Sequence, residues 1–513
     1  MTRHSIESSS LKENKDREDM QSIDRSDVED RLPSSSSDIE STRPTTSQKS
    51  APPFSAGTVS TSQPPPPPPP PNGGIYAWTC TACCFLINAH TWGLNSSYGV
   101  FLASYLANNT FGRNVSSLEY AFVGGLSISC AMLVAPLATL STRYFGTRVT
   151  LLTGVFFETL SLIAASFASQ IWHLFLSQGV CFGVGMGFLF VGSVSIVPQY
   201  FTTKRSMANG IAAAGSGIGG LTYSLAAGAM IRSIGLAWTF RVLAIIAFTV
   251  NTTCALIIRD RNKIIGSSQS AFAAALFKRV EFLLLCAYAW FSMLAYVVLI
   301  FSLPNYANAI GLSASQASVI GALLNLGQAI GRPPIGYFSD SLGRINMAAL
   351  TTFLAGFFCF VIWIPANGYG VLIAYVLIGG TVAGTFWTTI APVMAETVGL
   401  KHVPSALNLL WLVIVLPVTF SEAIALEIVD GTGGYLGTQL WAGFMFVAAA
   451  LCLVALRGWK IGELEEIAKL EGLKGEKLDP VVAEAEAGEE VAHRARIAGR
   501  RSILANFWRW RKV

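Results

Sequence analysis

Residues 200–215 read YFTTKRSMANGIAAAG and lie between two long apolar stretches. The aromatic pair Tyr200 and Phe201 closes one stretch, Lys204 and Arg205 form a short basic loop, and a run of Ala and Gly opens the next. Basic residues at the edge of an apolar span mark the cytoplasmic side of a membrane. Small residues let two helix backbones approach closely inside a bilayer. The segment therefore predicts a membrane boundary, its orientation and a tight helix–helix seam.

Composition extends that reading to the whole chain. Of its 513 residues, 52% are hydrophobic and only 13% are charged, against about 25% charged in an ordinary soluble protein. Most of the charge lies in the two tails, and a soluble globule could not hide so much apolar surface. The net charge of +5 is spread over loops and tails. Without a basic cluster interleaved with aromatics, a nucleic-acid partner is not expected. The nine cysteines, Cys80, Cys83, Cys84, Cys130, Cys181, Cys254, Cys286, Cys359 and Cys452, fall in apolar segments and read as small buried thiols. No His has metal-ligand spacing to them and no disulfide framework appears, so neither a metal nor a cofactor is expected. Residues 1–30 are polar and do not form a signal peptide, so the first apolar span is expected to direct membrane insertion.

Residues 1–72 are rich in Ser, Asp, Glu, Lys and Pro, with an unbroken run Pro64–Pro71. Such a segment cannot bury enough apolar area to offset its ordering entropy and is expected to be a disordered tail, its proline run a stiff spacer. Twelve apolar spans follow, over 75–104, 118–140, 148–168, 172–198, 206–230, 236–258, 281–307, 315–338, 345–365, 369–395, 404–427 and 437–456. Crossing a bilayer takes about 20 residues, so each is long enough. The polar stretch 259–280 divides them into six and six, giving bundles over 73–258 and 281–456 and a charged tail over 457–513. The expected fold is thus an all-α membrane protein with twelve transmembrane helices in two six-helix bundles.

Charge placement orients it. Arg143, Arg148, Lys204, Arg205, the cluster Arg259 to Arg279, Arg344, Lys401, Arg457 and Lys460 fall on one side, and only Arg113 and Arg232 on the other. Both termini are therefore expected in the cytoplasm. The sequons at Asn108 and Asn114 then lie outside, as candidate glycosylation sites; those at Asn95 and Asn251 fall within spans. The basic-aromatic end RRSILANFWRWRKV (500–513) suits an anionic membrane surface, the alternative being an unattached tail.

Two loops occupy equivalent places in the two halves: APLATLSTRYFGTR (135–148) and GYFSDSLGR (336–344). Their glycines permit tight turns, and in the second Asp340 and Arg344 can pair charges across helix ends. The second loop resembles the helix 8–9 loop of the major facilitator superfamily. Within that superfamily NGGIYAW (72–78) and YFTTKRSMANGIAAAG resemble signatures of the monocarboxylate transporter family, in its fungal branch, with Asn72 where an acid is usual. The resemblance covers roughly residues 72–456. It implies a secondary transporter that works by alternating access between two bundles. Animal members of the family carry a Lys in helix 1 and an Asp four residues before an Arg-Pro in helix 8. This chain keeps Arg332-Pro333 but has Ser96 and Gln328 at those two places. Those ionisable groups are tied to proton–carboxylate coupling in the family, so their absence argues against lactate-type proton symport.

Arg332 is the leading site residue. A charge at that depth is expensive unless it faces a cavity or a partner, and its planar fork suits a carboxylate. The family resemblance makes it the substrate-anion site; the alternative is an ion pair with Glu396 or Glu422, as Glu158 could pair with Arg143. Asn88 and Asn95 share one face of helix 1, with His90 on another side and Trp92 nearby. Tyr288, Ser292 and Tyr296 form a stripe on helix 7. Asn325 and Gln328 lead to Arg332 on helix 8, and Trp387 and Thr388 offer an aromatic wall on helix 10. These are candidate cavity residues, or bundle packing. Lys204, Arg205, Arg148, Asp340 and Arg344 are the candidate gate. GVGMG (183–187) and GSGIGG (215–220) sit inside apolar helices with no preceding strand and read as helix-packing surfaces, not phosphate loops.

The function expected is secondary transport of a small organic anion or related metabolite, which leaves room for riboflavin or an exported secondary metabolite. A non-transporting nutrient sensor on the same scaffold is the second hypothesis. An enzyme is not expected, because no nucleophile–base pair, metal triad or carboxylate pair stands at useful spacing. The plasma membrane is the expected location, with the vacuole as the alternative. Oligomeric state is not legible.

Overall fold

The computed structural model describes residues 70–108, 110–111, 117–267, 269–470, 489–507, 509, 511 and 513. The N-terminal tail to residue 69, with most of its proline run, and Asn114 lie outside these residues. Among the described residues every regular element is helical. We number the long helical stretches α1 (75–108), α2 (117–145), α3 (Thr147–Ala165), α4 (Ile171–Tyr200), α5 (Arg205–Ile234), α6 (Leu236–Ile257), α7 (Val280–Ala309), α8 (Ala314–Leu342), α9 (Arg344–Trp363), α10 (Tyr369–Val398), α11 (Leu400–Thr432), α12 (Leu436–Leu470) and α13 (Glu489–Ser502).

Eight of these, α3, α4, α6, α7 and α9 to α12, are long and apolar enough to cross a membrane, and α2 makes a ninth if its two pieces, bent by 41°, count as one. Of the remaining four, α13 is short and charged, and α1, α5 and α8 fall short for reasons of their own. α1 breaks at Thr91 and Ser97. α5 is diluted by Gly, Ala and Ser, and α8 carries Arg332, Asp340 and two prolines. α1 and α8 both pack against α5.

Their convergence rests on absent side chains. A Cβ on Gly215 would lie 2.0 Å from the Phe85 carbonyl oxygen, and one on Gly219 would lie 2.3 Å from that of Ala89, both on α1. On its other face α5 meets α8: a Cβ on Gly210 would come within 2.5 Å of the Arg332 carbonyl, and one on Gly217 within 2.6 Å of that of Asn325. Val at Gly215 is therefore expected to lower the melting temperature of the detergent-solubilised protein sharply, since overpacking costs about 1–3 kcal/mol even where neighbours can yield. An unchanged melting curve would show that the seam opens freely.

The sharp turns between α2 and α3 and between α8 and α9 sit on Gly146 (φ 85°) and Gly343 (φ 104°), in a region that side chains rarely enter. The stretch 259–280 is held down: Arg261 donates its backbone N–H to Gln199 Oε1 (2.7 Å), and Ser270 N–H reaches Ser405 Oγ (2.9 Å). α12 runs past Leu456 to Leu470 and buries Arg457, Lys460 and Glu463. α13 lies against it. The described part of the basic end is also docked. Arg511 lies 3.6 Å from Glu465, Arg457 donates to the Phe507 carbonyl (2.9 Å), and Ile345 N–H donates to the Val513 carbonyl (3.2 Å). Trp508, Trp510 and Lys512 lie outside the described residues.

Candidate functional site: a cavity with one open end

A cavity of about 1150 Å³ runs between the helices and is lined by residues of α1, α2, α4, α5, α7, α8, α10 and α11. Its mouth lies where Asn108, Arg232, Asn305, Asn308 and Ser315 stand, at one set of helix ends. Arg332, Asn209, Gln328 and Trp387 line its deep part, farther along the same helices.

Arg332 is only 2% exposed. Its Nη1 donates to the Ala213 carbonyl (2.6 Å) and to the Ser216 hydroxyl, and its Nη2 donates to Gln328 Oε1 (2.6 Å), while Nε makes no hydrogen bond. Tyr296 also donates to Gln328 Oε1 (2.8 Å), and the Gln328 amide nitrogen is left without a partner. The glutamine thus orients the guanidinium through a neutral oxygen where a carboxylate would neutralise it. Among the described residues no carboxylate lies within ion-pair distance of Arg332.

The carboxylates expected as alternative partners are engaged elsewhere. Glu396 Oε1 accepts from Arg344 Nη1 at 2.8 Å. Glu422 accepts from the Ser302 hydroxyl at 3.0 and 2.9 Å. Glu158 accepts from Asn251 Nδ2 at 2.7 Å, while Arg143 stacks over Tyr144.

Of the residues singled out from the sequence, Arg332, Asn88, Trp92, Asn95, Tyr296, Asn325, Gln328 and Trp387 line this cavity. Asn88 donates to the Cys84 and Ala212 carbonyls, and Asn95 donates to the Ser127 hydroxyl. His90, Tyr288 and Ser292 are outside the lining. His90 Nδ1 is hydrogen-bonded to the Tyr223 hydroxyl, Tyr288 faces Thr389 (3.4 Å), and Ser292 is 2% exposed. Sequence reasoning missed Ser216, Phe190 and Asn209, whose Nδ2 donates to the Thr388 carbonyl (2.7 Å) and ties α5 to α10. The expected aromatic wall of Trp387 packs on Trp92, their rings 4.9 Å apart, and is extended by Trp411, which sequence reasoning did not single out and which stacks on Trp387 at 6.0 Å. A Trp in an apolar run carries no sequence mark of which way it faces.

At the end of α5 and α8 away from the mouth, a polar cluster joins the helices. The two oxygens of Asp340 accept the first free amides of α5, Ser206 N–H at 3.0 Å and Met207 N–H at 2.9 Å. A carboxylate there meets the positive end of the helix dipole. Arg344 donates to Asp340 (3.2 Å), Glu396 (2.8 Å), Ser206 Oγ (3.2 Å) and the Thr202 carbonyl. Lys460 joins Glu463 (2.8 Å) and the Glu396 carbonyl (2.7 Å). Asn72, at the acid's usual place, accepts from Thr202 Oγ1 at 2.6 Å and Thr203 N–H at 3.2 Å. Of the remaining gate candidates, Arg205 is buried with Nε donating to the Phe201 carbonyl (2.9 Å), and Lys204 and Arg148 stand exposed.

A cavity that reaches one set of helix ends, with ion pairs joining the helices at the other, is a geometry suited to a solute carrier. The family model of the Major Facilitator Superfamily matches residues 81–306 and 284–508, and the chain belongs to that superfamily as a multi-pass membrane transporter. It is 32% identical over 412 residues, 79% of this chain and 87% of the relative, to "Probable transporter MCH2" of Saccharomyces cerevisiae. It is 27% identical over 435 residues to "Monocarboxylate transporter 10" of Rattus norvegicus, covering 80% of this chain and 83% of the relative. The fold is that of the proton:xylose symporter XylE, with a TM-score of 0.60 at 14% identity over 73% of this chain and 94% of that one.

Proposed function

We propose that the protein carries a small organic anion of the monocarboxylate class, or a related metabolite, across the plasma membrane by alternating access. The observation that supports this most is Arg332, a guanidinium 2% exposed and without a carboxylate partner among the described residues, placed on a 1150 Å³ cavity. In this reading α1 to α12 each cross the bilayer and form two six-helix bundles, residues 73–258 and 281–456, joined by 259–280. Both termini are cytoplasmic, the cavity opens outward, and Asp340 with Arg344 closes the inner side. The match of one family model to two successive parts of the chain and the likeness to a relative named for monocarboxylates favour it.

Purified protein in liposomes is expected to take up some members of a labelled organic-acid panel saturably. With Ser96 and Gln328 in place of ionisable groups, an imposed proton gradient is expected to leave the initial rate within about twofold, far from the tenfold that 59 mV of driving force represents at equilibrium for one charge. Binding without net flux would make the protein a sensor, and rates equal to those of empty liposomes for every acid would overturn the transport reading.

A further inference from the structure

The same cavity carries a second charged group that the anion site does not use. Glu422 of α11 lines it, and among the described residues it accepts from the neutral Ser302 hydroxyl alone. Among the described residues no cation pairs with Glu422, as no anion pairs with Arg332. The two do not meet each other because they sit at different depths. Arg332 shares Gln328 with Tyr296, whereas Glu422 is held by Ser302, six residues farther along α7 toward the mouth. At about 1.5 Å rise per residue that is an offset of roughly 9 Å along the helix. The aromatic rings of Trp92, Phe190 and Trp387 line the same space.

Two opposite, unpaired charges in one low-dielectric cavity make an electrostatic constraint on what fills it. Apart from Arg232, which stands exposed at the mouth, the charges on the empty cavity sum to zero. A simple anion would neutralise Arg332 and leave Glu422 as net charge in the membrane, which is unfavourable. A solute with a carboxylate at one end and an ammonium at the other satisfies both poles and keeps the sum at zero. Resting on the anion-site reading of Arg332, we infer that the substrate class is an elongated zwitterion: a carboxylate, an apolar or aromatic body, and an amino group several bonds away that docks on Glu422.

The test uses the full chain in liposomes at equal pH on both sides, with two probes of the same shape. One is para-(aminomethyl)phenylpropanoate; the other is para-methylphenylpropanoate, which lacks the amine. Wild type is expected to bind the zwitterion about tenfold or more tightly, as expected for a partly buried charge pair. Glu422→Gln, which keeps the side-chain shape, is expected to reduce the zwitterion to the level of the plain acid, and Arg332→Gln to weaken both. Size-exclusion profiles check that each variant folds. Equal binding of the two probes by wild type, or a preference that survives Glu422→Gln, overturns the inference while leaving the anion site standing. So does uptake of the plain acid that requires a proton gradient and loses that requirement in Glu422→Gln, because Glu422 then carries a proton. Two probes that bind alike to wild type and Arg332→Gln overturn the anion site itself.

Discussion

Arg332→Met is expected to abolish saturable uptake while leaving the protein at least as heat-stable as wild type. The two halves of this expectation come from the same observation. Removing one member of a buried charged contact with a ligand costs about 2–5 kcal/mol, or roughly 30-fold to several-thousand-fold in affinity. In the empty protein the guanidinium has no counter-ion among the described residues, leaves its Nε idle, and is satisfied only by a carbonyl, a hydroxyl and an amide oxygen. The effective desolvation penalty of such an ion is several kcal/mol, so a residue kept for structure would be a poor choice here. Uptake assays beside thermal melts in detergent separate the cases. A large fall in melting temperature together with normal uptake would make Arg332 a packing residue.

Asp340→Asn is expected to shift the protein from the closed to the open state at the α5–α8 end. Asp340 accepts two backbone amides at the start of α5 and pairs with Arg344. Charged hydrogen bonds contribute about 1.5–3 kcal/mol each and a helix-terminal charge about 0.3–1 kcal/mol more. Even a loss of about 3 kcal/mol would move the ratio of the two states by more than 100-fold. Spin labels at Lys204→Cys and Leu342→Cys, both exposed positions, would report a longer distance population in the Asp340→Asn background. An unchanged distribution would assign closure to other contacts, such as Lys460 with Glu463 and the Glu396 carbonyl.

Much of this was legible in the chain, for reasons that differ by residue. Gly146 and Gly343 could be placed because a turn between antiparallel helices needs a backbone that few residues supply. Arg332 stood out because a cation in an apolar run demands an explanation. Tyr288 and Ser292 share a periodicity with Tyr296, yet only Tyr296 reaches the cavity. Four-residue spacing gives a common face, while the neighbour that covers each turn is set by tertiary packing, here Thr389 over Tyr288. His90 is likewise taken by Tyr223, 133 positions away. The role of Glu422 was hidden for the opposite reason. It was visible as a buried acid, but that it shares a cavity with Arg332 without touching it is a fact of depth, which sequence does not carry.

The small residues of α5 have a mechanical consequence. On one side they seat against the α1 backbone, on the other against that of α8, with carbonyl oxygens where side chains would interlock. Interdigitated side chains resist displacement because each must change rotamer to pass the next. A surface of bare backbone has no such teeth. Sliding α5 past α8 therefore needs few rotamer changes, and what holds the pair is polar: Arg332 on the Ala213 carbonyl and Ser216 hydroxyl midway, and Asp340 with Arg344 at the rim. The stretch YFTTKRSMANGIAAAG reads as a smooth journal with its latch set at one end.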